Sequence, residues 1–302
     1  MVLPYGEGLS VENAIRIAAD TFLKDDLFFG HGTSTAIDEA SWLVLFAIGL
    51  SPIVEPDYSQ QLNDEQVAAC NKLLSRRIEE RLPAAYLTGQ AWFAGHQFLS
   101  DERALVPRSP LAEFINDDFF GVLDEFSSPR ILDLCTGGGC IAIATALARP
   151  TSLVDASDLS GAALSLAAEN IALHQLEGRV SLYEGSLFEP IREKYALIVS
   201  NPPYVDAADI AAMPDEFSHE PLMGLEAGQD GLDLVREMLL QAADYLEPNG
   251  SLVVEVGNSI TALEAAYPQI EFSWLQFAHG GHGVFLLTRE ELLQAFNHTS
   301  QI

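Results

Sequence analysis

The tetrapeptide Asn201–Tyr204 contains the residue types that most directly indicate chemistry in this sequence. It reads Asn-Pro-Pro-Tyr and directly follows the apolar run 197–200. Each proline holds φ at about −65° and lacks an N–H donor, so the pair ends strand pairing and turns the chain stiffly. The corner presents the Asn201 side-chain carbonyl, the Pro202 backbone carbonyl and the Tyr204 ring. Two acceptors and an aromatic face can hold an –NH₂ group, which predicts chemistry on an amide or an exocyclic amine. A plain β-turn is the alternative.

A second candidate is the glycine-rich segment Asp133–Gly139, between a predicted strand and an apolar helix at 140–148. Glycines let the backbone approach a ligand, and a helix N-terminus follows. An ordinary strand-to-helix turn would show the same glycines. Asp158 ends the next predicted strand and favours the ligand interpretation, because its carboxylate can accept both hydroxyls of a ribose. The spacing is not G-x-G-x-x-G, so NAD is the weaker cofactor hypothesis.

The second part of the chain reads as an α/β sheet. From residue 130 onward strands and helices alternate, which is typical of a parallel sheet covered on both faces. The predicted strands are 130–134, 152–156, 180–183, 196–200 and 251–256. Two more, 272–277 and 283–287, are joined by a link too short for a helical crossover. We therefore expect these last two strands to pair antiparallel.

The first part of the chain reads as helical. Apolar residues recur at helical spacing in three stretches, 11–22, 38–49 and 64–82. Between 89 and 106 the pattern changes to aromatic and β-branched residues around a polar turn at 100–102, which predicts a hairpin.

Ser109-Pro110 predicts the start of a further helix, because proline is favoured at the first helical position. Its apolar face would contain Leu111, Ile115, Phe119 and Val122. The expected organisation is a helical domain at 1–88, a β-hairpin connector at 89–108 and an α/β domain at 109–302.

Composition limits the compartment and the partners. The chain has 302 residues, enough for one large domain or for one domain and a smaller one. Neither a secretory signal nor a bilayer-spanning run is visible, and three cysteines without a C-x-x-C pair fit a reducing compartment. We expect a cytoplasmic protein with no membrane partner. His279 and His282 lack a third ligand, so we expect a polar turn there and no metal.

The net charge is −29, from 15 Lys and Arg against 44 Asp and Glu. A field of this sign repels phosphate backbones and attracts basic partners. We therefore expect no direct nucleic-acid binding. The charge could equally serve solubility alone.

Taken together, Asp133–Gly139, Asp158 and Asn201–Tyr204 resemble the protein-(glutamine-N5) methyltransferases that modify translation proteins. Other segments resemble the branch that methylates large-subunit ribosomal protein L-three, and they are Phe28–Thr33, Ala91–Gly95, Leu105–Pro110 and His219–Pro221. The resemblance covers nearly the whole chain. It implies a Rossmann-like S-adenosylmethionine-dependent methyltransferase sheet, mostly parallel with an antiparallel C-terminal hairpin. It also implies S-adenosyl-L-methionine as cofactor and L-three as substrate, recognised by the helical domain.

Carried over by residue, the resemblance implies two sets of site residues. The cofactor set is Asp133, Cys135, Thr136, Gly137, Gly138, Gly139, Asp158, Ser186 and Asn201. The catalytic set is Asn201, Pro202 and Tyr204, and substrate binding adds Pro203, Arg108 and Glu220. Ser186 stands where the family usually has Asp, near the adenine, and offers a weaker hydrogen bond than a carboxylate.

The chemistry expected at this site is methyl transfer to a glutamine amide. An amide nitrogen is a poor nucleophile because its lone pair is delocalised into the carbonyl. Asn201 Oδ1 and the Pro202 carbonyl would accept both amide hydrogens and orient the nitrogen, while Tyr204 stacks on the amide plane. Three alternatives remain, namely methylation of release factors, methylation of an exocyclic amine of a nucleic acid base, and a scaffold without turnover.

Overall fold

The computed structural model describes residues 2–4, 8–51 and 54–297, and the chain forms two compact units. The first unit takes the described part of Met1–Ala91 together with Ser100–Glu102 and Pro214–Glu220. The second takes Trp92–Leu99, Arg103–Met213 and the described part of Pro221–Ile302. A short segment far along the sequence, 214–220, thus belongs to the first unit.

Four helices build most of the first unit, and they confirm the helical pattern of the sequence. They are α1 (Val11–Lys24), α2 (Ala36–Ala47), α3 (Asp64–Glu80) and α4 (Ala84–Thr88). Side chains cap the N-termini of the three long ones, Ser10 before α1, Thr35 before α2 and Asn63 before α3. Such caps satisfy backbone N–H groups that have no partner within the helix.

The first unit also contains a buried charged cluster. The Arg77 guanidinium donates to Glu39 Oε1 at 2.6 Å, to Glu216 Oε1 at 3.1 Å and to the Phe28 carbonyl at 2.8 Å. All three charged side chains are only 1% exposed. Glu216 comes from the returning segment, so this cluster joins 214–220 to α2 and α3.

A two-stranded hairpin follows α4, but its turn is not where the sequence predicted it. Its strands are β1 (Gln90–Phe93) and β2 (His96–Leu99), so the turn is Ala94-Gly95. Ala94 and Gly95 both have positive φ, 49° and 83°, as a tight turn requires. The prediction of a turn at Ser100–Glu102 was therefore wrong, since those polar residues follow the second strand.

The helix predicted after Pro110 is shorter than expected. Helix α5 (Leu111–Asn116) ends early because Asp118, Phe119 and Phe120 adopt positive φ, which no right-handed helix permits. Phe119 is still buried, packed edge-on against Phe114 with 5.5 Å between ring centroids. Apolar periodicity thus predicted the burial correctly and the helix length wrongly.

The second unit is organised around a seven-stranded sheet. Its strands are β3 (Arg130–Leu134), β4 (Leu153–Asp158), β5 (Val180–Glu184), β6 (Tyr195–Ser200), β7 (Leu246–Glu255), β8 (Ser273–Trp274) and β9 (Val284–Thr288). Their order is β5-β4-β3-β6-β7-β9-β8. The pairs from β5 to β7 are parallel, whereas β9 runs antiparallel to both β7 and β8. The predicted mostly parallel sheet with an antiparallel end is confirmed.

The prediction of a strand over 272–277 was wrong in length. Only Ser273 and Trp274 pair, with Leu286 and Phe285 of β9. Beyond them, the Leu275 N–H still donates to the Val284 carbonyl at 2.9 Å, and Leu275 and Phe277 pack against the hydrophobic cluster that includes residues of α5 and α6.

Helices cover both faces of the sheet and bury its central strands. They are α6 (Cys140–Ala148), α7 (Gly161–Leu173), α9 (Asp233–Tyr245), α10 (Ile260–Ala266) and α11 (Arg289–Asn297), whereas the short helix α8 (Ala207–Ala212) has no buried residue. Residues of α5, α6 and α7 join one hydrophobic cluster, and residues of α9 and α11 join the other. All six residues of β6 are buried, as expected for an internal parallel strand. Among the described residues, none of the helices has both the length and the apolar character needed to cross a bilayer.

Candidate active site at the carboxyl edge of the sheet

The topology brings the two motifs of the sequence to neighbouring strands. The glycine segment follows β3 and the Asn201 corner follows β6, and these strands pair in parallel from Ile131 with Leu197 to Leu134 with Ser200. Strand β4, which ends at Asp158, lies on the other side of β3. The order of strands reverses at β3 and β6, and ligands of open α/β sheets bind at the carboxyl edge of such a reversal.

Asp133 shapes the glycine loop from beneath. Its Oδ2 accepts the Thr136 hydroxyl at 2.6 Å and the Ala142 N–H at 3.0 Å, so it ties the loop to the first turn of α6. The side chain is fully buried, and burial raises the pKa of Asp133 to about 7. Its Oδ1 is buried without a hydrogen-bond partner among the described residues.

The loop itself has a backbone that favours glycine. Gly137 and Gly139 have φ of 55° and 83°, and Cys135 has φ of 58°. A Cβ on Gly139 would lie 3.1 Å from Ala167 Cβ, so this position also needs a small residue for close packing with α7. Burial raises the pKa of the Cys135 thiol, which disfavours the reactive thiolate form.

Asp158 lies next to this loop. Its carboxylate accepts the Gly137 N–H and the Ser160 N–H, each at 2.8 Å. Burial raises the pKa of Asp158 above its ordinary value, although both backbone hydrogen bonds act in the opposite direction. Each carboxylate oxygen can accept more than one hydrogen bond, so Asp158 can still receive hydroxyl groups from a ligand.

Asn201 carries an unused acceptor. Just before it, the Ser200 hydroxyl donates to the Leu134 carbonyl at 2.7 Å and fastens the end of β6 to β3. Asn201 Oδ1 is buried and has no hydrogen-bond partner among the described residues, and Pro202 behind it is buried as well. An unmet buried acceptor is costly, so Asn201 Oδ1 is available to a donor from outside the chain.

Tyr204 is held from three directions. Its hydroxyl donates to Glu255 Oε1 at 3.0 Å, and its carbonyl accepts the Ser259 hydroxyl at 3.2 Å. A Cβ on Gly257 would lie 2.5 Å from the tyrosine ring, so only glycine allows the ring this place. The ring position is therefore set by the last residue of β7 and by residues that follow this strand.

Glu255 is the functional candidate that sequence reasoning missed. It is the last residue of β7, it is 4% exposed, and its Oε2 accepts the Ser109 hydroxyl at 2.5 Å. Burial raises the pKa of Glu255 to about 7, although both hydroxyls and the charge of Arg108 act in the opposite direction. The sequence does show a carboxylate at the end of an apolar strand. Assigning it to the site requires the knowledge that β7 lies beside β6, which only the strand order provides.

The remaining predicted residues are distributed over both units. In the second unit, Arg108 is half-buried and donates to the Val106 carbonyl at 3.4 Å, Pro203 is half-buried, and the Ser186 N–H donates to Glu189 Oε2 at 3.4 Å. Glu220 belongs to the first unit, where its carboxylate lies 3.3 Å from His31 Nε2 with both side chains buried. The described residues contain no group of three or more His, Cys, Asp or Glu arranged for a metal.

Comparison with known proteins identifies the family. Residues 119–219 match the model of the methyltransferase small domain. The ribosomal protein uL3 glutamine methyltransferase of Bordetella pertussis is 43% identical over 286 residues, which cover 94% of this chain and 96% of that one. The protein of the same name from Neisseria gonorrhoeae is 44% identical over 287 residues, with the same coverage. This chain belongs to the ribosomal protein uL3 glutamine methyltransferase family.

Membership of the uL3 glutamine methyltransferase family confirms the resemblance seen in the sequence. A solved structure, the hMettl16 catalytic domain in complex with MAT2A 3'UTR hairpin 6, covers 78% of this chain and 86% of its own with a TM-score of 0.50. At 15% sequence identity it shows a shared fold and no more. With the sheet topology, it supports the predicted Rossmann-like methyltransferase architecture.

Proposed function

We propose that this protein transfers a methyl group from S-adenosyl-L-methionine to the side-chain nitrogen of a glutamine in ribosomal protein uL3. The observation that carries the proposal is Asn201 Oδ1, a buried acceptor without a partner at the end of β6. Asn201 directly follows β6, and the neighbouring strand β3 leads into the glycine loop. The names of the two curated relatives support uL3 as the protein that supplies the glutamine.

In the proposed reaction the corner acts by positioning. Asn201 Oδ1 and the Pro202 carbonyl accept the two hydrogens of the substrate amide. This holds the nitrogen in place and favours the form in which its lone pair is localised and points at the methyl carbon. Tyr204 covers the amide plane and excludes water. The bond from nitrogen to the methyl carbon forms as the methyl–sulfur bond breaks, and the methylated amide nitrogen, now cationic and strongly acidic, loses one of its two hydrogens as a proton to solvent. Preorganised acceptors and orientation supply the catalysis, and no strong base is required.

The residues in and around the glycine loop have the chemistry needed to bind S-adenosyl-L-methionine. The carboxylate of Asp158 suits two ribose hydroxyls, the loop backbone from Cys135 to Gly139 can approach a ligand closely, and Ser186 can bond the adenine edge. When bound, S-adenosyl-L-methionine supplies an electrophilic methyl group on a sulfonium centre. Asp133 would keep the loop in shape from beneath, because its carboxylate already holds Thr136 and Ala142.

Replacing Asp158 with Ala is expected to weaken cofactor binding by at least about 100-fold, because the bonds to two ribose hydroxyls are lost together. Each hydrogen bond between a neutral hydroxyl and a carboxylate contributes about 1.5–3 kcal/mol. Isothermal titration calorimetry with S-adenosyl-L-methionine measures the change. Glu237, an exposed carboxylate on α9, serves as the matched control, and Glu237→Ala should bind as the wild type does. Unchanged affinity in Asp158→Ala would contradict the ribose role.

The substrate is tested directly. Purified uL3, a peptide release factor and a duplex oligonucleotide are each incubated with the enzyme and methyl-labelled cofactor, and the products are analysed by mass spectrometry. We expect one additional methyl group on a glutamine of uL3 alone. Labelling of the release factor or the nucleic acid instead would replace the proposed substrate.

Substrate recognition beyond the corner is assigned to the first unit, as the helical domain 1–88 was expected to provide it. The strongly acidic chain suits a basic protein substrate, because opposite charges raise the rate of encounter. We place the reaction in the cytoplasm, a reducing compartment that fits the free Cys70, Cys135 and Cys140.

A further inference from the structure

Glu255 is a buried carboxylate for which the proposed reaction has so far no use. It ends β7, and the strand register pairs Ser200 with Val254, so Asn201 and Glu255 are the next residues of the two neighbouring strands. Its two oxygens accept different hydroxyls, Oε1 from Tyr204 at 3.0 Å and Oε2 from Ser109 at 2.5 Å. An ionised carboxylate can only accept hydrogen bonds. Both partners of Glu255 are hydroxyls that donate, so the arrangement suits the ionised form.

A carboxylate 4% exposed to solvent is a costly choice if its only task is to fill space. A neutral glutamine or a methionine could fill the same volume without the desolvation penalty of a charge. The charged and titratable groups that act on Glu255 or are influenced by it are Arg108, Tyr204 and the Cys140 thiol. Of these, the Arg108 cation favours the ionised carboxylate.

We propose that ionised Glu255 is a positioning residue of the methyl transfer, which holds the Tyr204 hydroxyl and thereby fixes the tyrosine ring beside the Asn201 corner. This inference rests on the proposed function. Gly257 leaves the room for the ring, the Ser259 hydroxyl holds the backbone carbonyl, and Glu255 accepts the ring hydroxyl. Loss of that buried, charge-assisted bond would weaken the hold on the ring.

The inference predicts a dependence on pH. Protonated Glu255 would add its own O–H to a site where the Tyr204 and Ser109 hydroxyls already donate. Three O–H groups would then compete for the acceptors, so one of these groups would lose its acceptor. Burial raises the pKa of Glu255 to about 7. We therefore expect kcat/KM to fall as the pH drops below about 7, with the profile of a single group that becomes protonated. Ser109→Ala removes a donor that favours the ionised form, so it should move this fall to higher pH.

Stability should change in the opposite direction to activity. A carboxyl whose pKa is higher in the folded than in the unfolded state stabilises the fold at low pH, and that contribution is lost as the pH rises through its folded pKa. At pH 8 the folded protein therefore bears the full cost of the buried charge. Glu255→Gln, which keeps the shape and removes the charge, should then melt no lower than the wild type.

The test compares the wild type with Glu255→Gln, Tyr204→Phe and the double variant, using purified uL3 and methyl-labelled cofactor. At about pH 8 we expect each single variant to lose about 10- to 100-fold in kcat/KM, as loss of a hydrogen bond to a charged group predicts, with cofactor affinity and melting temperature retained. The double variant should be no worse than the poorer single one, because the two residues act as a unit. Glu255→Gln should show a smaller fall in kcat/KM between pH 8 and pH 6 than the wild type does, and what remains is assigned to Asp133, whose pKa burial also raises to about 7.

Three results would overturn the inference. They are wild-type kcat/KM in Glu255→Gln, an unchanged acid fall in that variant, and additive losses in the double variant. If the wild type itself forms no methylglutamine in uL3, the proposed function fails and the inference with it. An active wild type with an unaffected Glu255→Gln rejects the inference alone.

Discussion

Replacing Asn201 with Ala is expected to lower kcat for glutamine methylation by at least about 10²–10³-fold, while S-adenosyl-L-methionine binds with near-normal affinity. Removing one preorganised hydrogen-bonding group that acts on the reacting atoms has an effect of this size. Asn201 Oδ1 has no partner within the described residues, so its loss breaks no hydrogen bond of the fold. Mass spectrometry of uL3 gives the rate, and calorimetry gives the cofactor affinity.

Two further variants sharpen this prediction. Asn116 is an exposed asparagine at the end of α5, and Asn116→Ala should retain full activity. Asn201→Asp keeps an oxygen that can accept the substrate amide hydrogens, and it should retain more activity than Asn201→Ala. Full activity of Asn201→Ala would refute the role of the corner, and loss of cofactor binding would assign Asn201 to the cofactor instead.

The largest effect on stability is expected from Arg77→Met. Arg77 pairs with Glu39 and Glu216 in an interior where all three side chains are 1% exposed. Removing the cation takes their shared guanidinium from two buried carboxylates. Glu216 keeps the Arg81 guanidinium at 3.4 Å and Glu39 keeps the Thr33 hydroxyl, so we expect a cost near the lower end of the range for breaking a buried pair, about 3 kcal/mol. Urea unfolding of the first unit, followed by the fluorescence of the buried Trp42 in a Trp92→Phe and Trp274→Phe background, measures the loss.

The effect of Arg77→Met should shrink as the pH falls. Burial by itself raises the pKa of Glu216. Hydrogen bonds from the backbone N–H groups of Glu216 and Phe28 and from the Arg77 side chain outweigh burial, so the pKa of Glu216 lies below its ordinary value. A pKa lowered by folding stabilises the folded state at neutral pH, and that stabilisation is lost as the pH falls through the folded pKa. Without the guanidinium, the Glu216 carboxyl takes up a proton at a higher pH than in the wild type, so the difference in stability between the two proteins narrows.

A neighbouring pair provides the control. Arg76 bonds Glu80 at 3.0 Å on the exposed face of the same helix, where both side chains are nearly half exposed. Exposed pairs of this kind contribute at most about 1 kcal/mol, so Arg76→Met should be close to the wild type. Equal losses in the two variants would show that burial of the Arg77 cluster is not what stabilises the first unit.

The groups that the sequence predicted well are those whose conformation is local. Two successive prolines restrict their own backbone, and so the Asn201 corner follows from stereochemistry alone. Glycines at 137 and 139 predicted a tight loop, and both have positive φ in the structure. The placement of Asp158 beside that loop also followed, because parallel neighbours end at one edge of a sheet.

The errors fell where long-range packing outweighs local preference. Phe119 fits a helical face by spacing, yet it reaches the core through a turn of positive φ. The hairpin turn formed at Ala94-Gly95, where the backbone can adopt positive φ, and not at the more polar residues downstream. Polarity indicates exposure to solvent, whereas turn formation depends on φ and ψ.

The sequence by itself determined the alternation of strands and helices, the stiff corner at Asn201–Tyr204 and the glycine loop, because each depends on residues adjacent in the chain. Only the tertiary structure decided which buried charges meet. Glu255 reaches Tyr204 because β7 is the parallel neighbour of β6, and Glu216 reaches Arg77 because the segment 214–220 returns to the first unit. Strand order and such a return are set by the free energy of packing the whole chain, which no short stretch of sequence contains.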